Sequence, residues 1–196
     1  MMKWISKFII KEQILEMPEL PSFDINPIKE FALNGWELGK THGLPHWQRV
    51  ERNGVILSTE VRDGKLYIRK DVNITVVRLF AYLHDKCRVD NYEDLEHGKR
   101  AADMLYTIKD TLIKDLTVEE FSLLEKACRY HTIEHRTGNT TIDTCFDADR
   151  LDLDRVGIMP NPKLMATKQG ACYADDLYRL KHTEPFMTYY KDIIEQ

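Results

Sequence analysis

The sequence predicts an all-α, single-domain fold, and three observations carry the prediction. Apolar residues recur at helical spacing through most of the chain, while alternation is confined to one short stretch. Glycines and prolines punctuate the periodic segments, and Thr117-Val-Glu-Glu120 is a capping box that opens one of them. With 196 residues, 43% of them apolar, the chain can fill the core of one medium domain.

Residues 1–25 read as an N-terminal packing helix, amphipathic over 1–17, and a connector in which Pro18 and Pro21 break the pattern. A second helix covers Pro27 to about Leu38; Gly39, Gly43 and Pro45 end it and lead into the next. There His46, Val50, Gly54 and Leu57 share one face, and Gly54 lets a neighbouring helix come close. Thr59 to Asp71 has Asp63-Gly64 turn chemistry and some alternation, so it is a loop or a small hairpin. Asp71 or Asn73 caps the helix that follows.

That helix, Val76 to Asp85, is the centre of the chain. It is apolar on nearly every side and therefore buried, yet it ends in His84 and Asp85. Burying a carboxylate costs several kcal/mol unless a cation or dense hydrogen bonding compensates. Adjacent helical side chains point about 100° apart, so the two can share only a ligand lying between their directions.

The polar stretch Lys86 to Glu96 is too charged for a core and borders whatever that ligand is. His97, Ala101, Met104, Leu105, Ile108 and Leu112 then form a helical face, and Phe121, Leu124, Ala127, Cys128 and His131 form another after the capping box. Beyond Gly138-Asn139, one face of a shorter helix carries Ile142, Cys145, Phe146, Asp149 and Leu153. Residues 157–196 read as loop plus one or two short helices.

A net charge of -4 supplies no global basic field to recruit nucleic acid. Cys87, Cys128, Cys145 and Cys172 are widely spaced, which suits reduced thiols in a cytoplasm. Lysines at 3, 7 and 11 interrupt the N-terminal apolar residues, so no secretory signal is expected, and no run approaches the ~20 apolar residues of a membrane span. Oligomeric state is left open.

A single histidine on an apolar helix face is ordinarily a hydrogen-bonded core residue. Here His46, His84, His97 and His131 fall on the inner faces of four separate helices, and Asp85 and Asp149 join them. Such a set, with no thiolate, suits a divalent metal ion such as Fe, Mn, Ni, Zn or Mg.

The order His46, His84-Asp85, then Asp149 within Asp147-Ala-Asp-Arg-Leu-Asp152 resembles the HD-domain superfamily of metal-dependent phosphohydrolases. The stretches HGLPHWQRV, LFAYLHDKCR, EHGKRAA, ACRYHT and DADRLDLDRVGI are together similar to a set of small stand-alone HD proteins, and 42–153 is the expected metal-binding core of a single HD domain spanning 1–196. The resemblance implies that His46, His84, Asp85 and Asp149 bind a first metal. It also implies one of two roles for His97 and His131: ligands of a second metal bridged by Asp85, or contacts to substrate phosphate and a source of protons. One or two metals per chain are thus expected. The implied activity is hydrolysis of a nucleotide or other small phosphoester by attack of a metal-bound hydroxide, with Asp85 positioning or deprotonating it. His97, His131, Lys86 or Arg88 then steadies the phosphate. Arg49 and Arg150 are expected in ion pairs with Asp147 or Asp152, and those two acids orient ligands or cap the helix. Two other readings remain at this point: a di-iron oxygenase-type HD enzyme, and a non-catalytic module that senses a nucleotide.

Overall fold

The computed structural model describes residues 7–10, 13–16, 18–20 and 23–181. Its centre is α3 (Ile74–Leu83), which begins at Asn73: the Asn73 side chain accepts a hydrogen bond from the Val76 N–H at 3.1 Å. Of the two predicted caps, Asn73 is the one used. Ile74, Val76, Val77, Leu79, Phe80, Ala81, Tyr82 and Leu83 are all buried, and only Thr75 and Arg78 are partly exposed. Burial of each large apolar side chain contributes about 1.5–3 kcal/mol, which fixes α3 in the middle of the bundle.

Four helices surround it: α1 (Asn26–Leu33), α2 (Leu44–Leu57), α5 (Val118–Tyr130) and α6 (Thr140–Arg150). On the far side of α5 lies α4 (His97–Ile108), while α7 (Lys168–Lys181) rests on α6. Gly54 serves as predicted, because a Cβ there would lie 2.4 Å from Val77 Cγ1. The capping box at Thr117 and Glu120 is formed, and Asn139 caps α6 through the N–H groups of Thr141 and Ile142. The fold is a single all-α domain with two small hairpins.

One hairpin is the predicted alternative for 59–71: β3 (Thr59–Arg62) pairs with β4 (Lys65–Ile68) around Asp63-Gly64. The other corrects the expected N-terminal packing helix of residues 1–25. Lys7–Ile10 (β1) and Gln13–Glu16 (β2) are antiparallel strands, with Lys7 opposite Glu16 and Ile10 opposite Gln13. Phe8-Ile9-Ile10 and Ile14-Leu15 are short runs rich in β-branched residues, for which helical and extended readings compete. A neighbour decides it: β2 lies beside β4. Residues 1–6, 11, 12, 17, 21 and 22 of the predicted N-terminal segment, and 182–196 of the predicted C-terminal one, lie outside the described residues.

The second helix ends at Leu33 rather than near Leu38, and Trp36 then turns back, donating from Nε1 to the Gly39 carbonyl at 2.8 Å. After α6 the chain makes two short 3-10 turns, Leu153–Val156 and Pro162–Leu164, before the 14 residues of α7. Among the described residues no helix is long and apolar enough to cross a membrane.

Candidate metal centre

Helix ends, not helix middles, build the site. His46 stands in the first turn of α2, His84 caps the end of α3, His97 opens α4, His131 caps the end of α5, and Asp149 lies in the last turn of α6. His46, His84, Asp85, His97 and His131 are buried. Asp149 keeps 20% of its side chain exposed, which gives the centre an open side, although its Oδ1 is buried.

Each imidazole is oriented through its Nδ1. That of His46 lies 2.7 Å from Asp152 Oδ2, that of His84 3.1 Å from the Phe80 carbonyl, and that of His131 2.7 Å from the Cys128 carbonyl. The Nδ1 of His97 meets the Asp94 carbonyl. A carbonyl or carboxylate only accepts, so it draws the hydrogen to Nδ1 and leaves the Nε2 lone pair free for a cation.

Those lone pairs converge. His46 Nε2 and His84 Nε2 are 3.3 Å apart. Asp85 Oδ2 and Asp149 Oδ1 each lie 3.4 Å from His46 Nε2, and 3.7 and 3.8 Å from His84 Nε2. Asp149 Oδ1 accepts no hydrogen bond. Four acceptors this close, with an orphaned buried oxygen among them, call for a positive charge between them. Donors about 2.0–2.2 Å from one ion, in tetrahedral or octahedral order, are about 3.0–3.5 Å from each other. The four side chains therefore fit a divalent cation.

A second group shares one residue with the first. Asp85 Oδ1 lies 2.9 Å from His97 Nε2 and 4.0 Å from His131 Nε2, and the two imidazole Nε2 atoms are 2.8 Å apart. The two oxygens of Asp85 are thus divided between the groups. Three overlapping sets are each close enough to hold a metal ion: His46, His84 and Asp85; Asp85, His97 and His131; and His84, His131 and Asp149.

The electrostatics favour ligands in their binding forms. Burial pushes the Asp85 carboxyl up, but His84 and the hydrogen bonds of His42, His46 and His97 overcome it and hold it well below the carboxylate range. Burial likewise opposes ionisation of Asp149, yet His84, His46 and Arg155 bring it down to about 2. Burial, with the charges of His84 and His97, lowers His131 to about 3, and burial also lowers His84. His46 moves the other way: burial lowers it, but hydrogen bonds to Asp152 and Asp85 and the field of Asp149 raise it above the usual value. Without a metal, a proton on His46 is the cation this pocket attracts.

The supporting residues follow the sequence expectation in part. Asp152 orients His46 and is gripped by Arg49 at 2.6 and 3.0 Å. Asp147 caps rather than orients a ligand: it accepts from the N–H groups of Ala166 and Thr167 at 2.7 and 2.8 Å, at the start of α7, and pairs with Arg150 at 3.6 Å. Arg88 reaches the centre, with Nη1 3.7 Å from Asp85 Oδ1. Lys86 does not, which corrects its expected role on the phosphate. Its Nζ donates to the Asn34 carbonyl and lies 5.9 Å from the centre of the Phe31 ring, because the turn after Asp85 sends it toward α1.

Two residues were not assigned from the sequence. His42 Nδ1 is 3.2 Å from Asp85 Oδ2, and Arg155 Nη2 is 3.4 Å from His42 Nδ1 while its Nε donates to the Thr41 carbonyl at 3.0 Å. His42 precedes His46 by one helical turn but lies in the loop before α2, where periodicity places nothing. Arg155 follows Asp152 by three residues, and that spacing was its only signal. No protein-family model, curated protein or solved structure matches this chain.

Proposed function

We propose that this chain is an HD-type metal-dependent phosphohydrolase acting on a nucleotide or another small phosphoester. The observation that carries the reading is the group of His46, His84, Asp85 and Asp149, in which His46 Nε2 lies within 3.4 Å of the acceptor atoms of the other three. A divalent cation (Fe, Mn, Ni, Zn or Mg) held there supplies Lewis-acid polarisation of a phosphoryl oxygen and acidifies a bound water.

The chain's own groups complete the chemistry. Two guanidinium groups flank Asp85, Arg88 on the Oδ1 side and Arg155 behind His42 on the Oδ2 side, and their permanent charge suits an anionic substrate. Asp85 Oδ1 takes the proton of the water that attacks phosphorus. His97 Nε2, 2.9 Å away, receives that proton from Asp85 and passes it to the leaving oxygen as the phosphorus–oxygen bond breaks. Beside the centre, Leu95 and Ile133 are exposed two residues from His97 and His131, and Thr132 Oγ1 donates to the Leu95 carbonyl at 3.2 Å, tying the two segments together. Tyr92 stands 85% exposed on the same loop, whose Tyr92 carbonyl accepts from Arg88. This lip suits the base or other apolar part of the ester. The four unpaired cysteines accord with a reducing cytoplasm.

Metal analysis of the purified protein, then phosphate release from a panel of phosphorylated metabolites, tests the reading. Asp85→Ala is expected to lose metal and turnover together; a fully active variant refutes the assignment. The imidazole-rich second group also favours a di-iron oxygenase reading. Oxygen consumption by the iron form, without phosphate release, would establish that alternative.

A further inference from the structure

The two groups that share Asp85 differ in what stands next to them. The Arg88 side chain is only 8% exposed; its Nη1 is 3.7 Å from Asp85 Oδ1 and 3.3 Å from His97 Nδ1. Backbone carbonyls hold the rest of the fork: Nε donates to Asp90 O at 3.2 Å and Nη2 to Tyr92 O at 2.5 Å. The loop carrying those carbonyls is itself tied down. Asp94 Oδ2 accepts from the Val89 N–H at 3.0 Å and from Arg100 Nη2 at 2.5 Å, and Arg100 Nε donates to the Cys87 carbonyl at 3.1 Å. Arg88 therefore cannot swing aside without dismantling the segment between α3 and α4.

A guanidinium keeps its charge at every working pH. Fixed against Asp85 Oδ1, it neutralises part of the carboxylate charge that a second cation would need, and repels that cation at short range in a low-dielectric site. Spacing agrees: the second group is uneven, with His97 Nε2 2.8 Å from His131 Nε2 and 2.9 Å from Asp85 Oδ1 but His131 Nε2 4.0 Å from Asp85 Oδ1, whereas the first group is spread over 3.3 to 3.8 Å.

We infer that the centre takes one divalent cation per chain, on His46, His84, Asp85 and Asp149, and that the charge of Arg88, fixed beside Asp85 Oδ1 and His97 Nδ1, keeps a second from His97 and His131. This rests on the metal-dependent reading above and fixes a stoichiometry that reading leaves open. The His97–His131 side is then kept for an anionic oxygen of the substrate, which a guanidinium and imidazoles bind and a second metal would cover.

The test is calorimetric titration of the chelator-stripped, full-length chain with Mn²⁺ or Zn²⁺ alone, with elemental analysis of the gel-filtered product. Wild type is expected to bind one equivalent. Arg88→Met and the amide-bearing Arg88→Gln are expected to bind two, the second at least about tenfold tighter than any second event in wild type. Adding His97→Ala to either should return the count to one. Two equivalents in wild type overturn the inference and leave the metal centre standing; none in any form overturns both. A count of one in both folded Arg88 variants removes Arg88 as the cause.

Discussion

Replacing Asp152 with Ala removes the acceptor 2.7 Å from His46 Nδ1 without touching any proposed ligand. In the variant, the His46 hydrogen is free to move to Nε2 and satisfy Asp85 or Asp149, 3.4 Å away. A metal must then displace that hydrogen before it can bind. Leaving a buried polar group without its partner costs about 1–3 kcal/mol, and loss of a carboxylate behind a ligating imidazole lowers metal affinity by about 10–100-fold, or about 1.4–2.7 kcal/mol. The two estimates agree. Asp152→Asn is expected to lose less, since its amide oxygen can still accept from His46 while Arg49, 33% exposed, turns its fork to solvent. Competition against a chromogenic chelator near neutral pH measures both, and circular dichroism checks the fold. Affinity in a folded Asp152→Ala variant within about twofold of wild type would show that His46 is not a ligand oriented this way, since the expected loss is about 10–100-fold.

The metal-free chain is expected to be most stable near pH 6.5. His46 has a raised folded pKa, so its contribution is complete below the ordinary value of 6.5 and is lost as pH rises through the raised one. His131, lowered to about 3, works in reverse: its contribution is complete above 6.5 and is lost as pH falls toward 3, by about 1.4 kcal/mol per unit. Asp149 adds a further acid loss between 3.8 and about 2. Melts of stripped protein that rise steadily through alkaline pH contradict this. Gly98→Ala sets a Cβ 2.6 Å from the Cys128 carbonyl and 3.1 Å from the His131 ring, so α4 and α5 must part. A loss of about 1–3 kcal/mol and a Tm lower by roughly 3–10 °C are expected; an unchanged Tm refutes the close contact. Tyr92→Ala should leave Tm unchanged and raise KM for a nucleotide by about 3–10-fold if the ring stacks on the base, and an unaltered KM removes Tyr92 from substrate binding. Thr117→Ala deletes the capping box of α5 and should cost about 1 kcal/mol with metal affinity intact, read by chemical denaturation.

Much of this molecule is legible before any coordinates, and the exceptions have physical reasons. Asn73 and the Thr117–Glu120 box act on N–H groups two or three residues away, so the local sequence suffices to place them. The convergence of His46, His84, His97, His131 and Asp149 follows from helical periodicity, because each lies on or at the end of a helix whose inner face is marked by apolar neighbours, and Asp85 is carried in beside His84. His42 lies in a loop, where no period fixes direction. Lys86 was misplaced because a residue just past a helix end points where the turn sends it, and that turn depends on α1 packing nearby. The N-terminal hairpin exists beside β4, a partner distant in sequence that no local pattern announces.

Because Asp85 offers one oxygen to each group, the centre has no independent halves. Any rotation of that carboxylate that improves its fit on one side worsens it on the other, so losses measured for His46→Ala and His97→Ala separately should not sum to the loss of the pair.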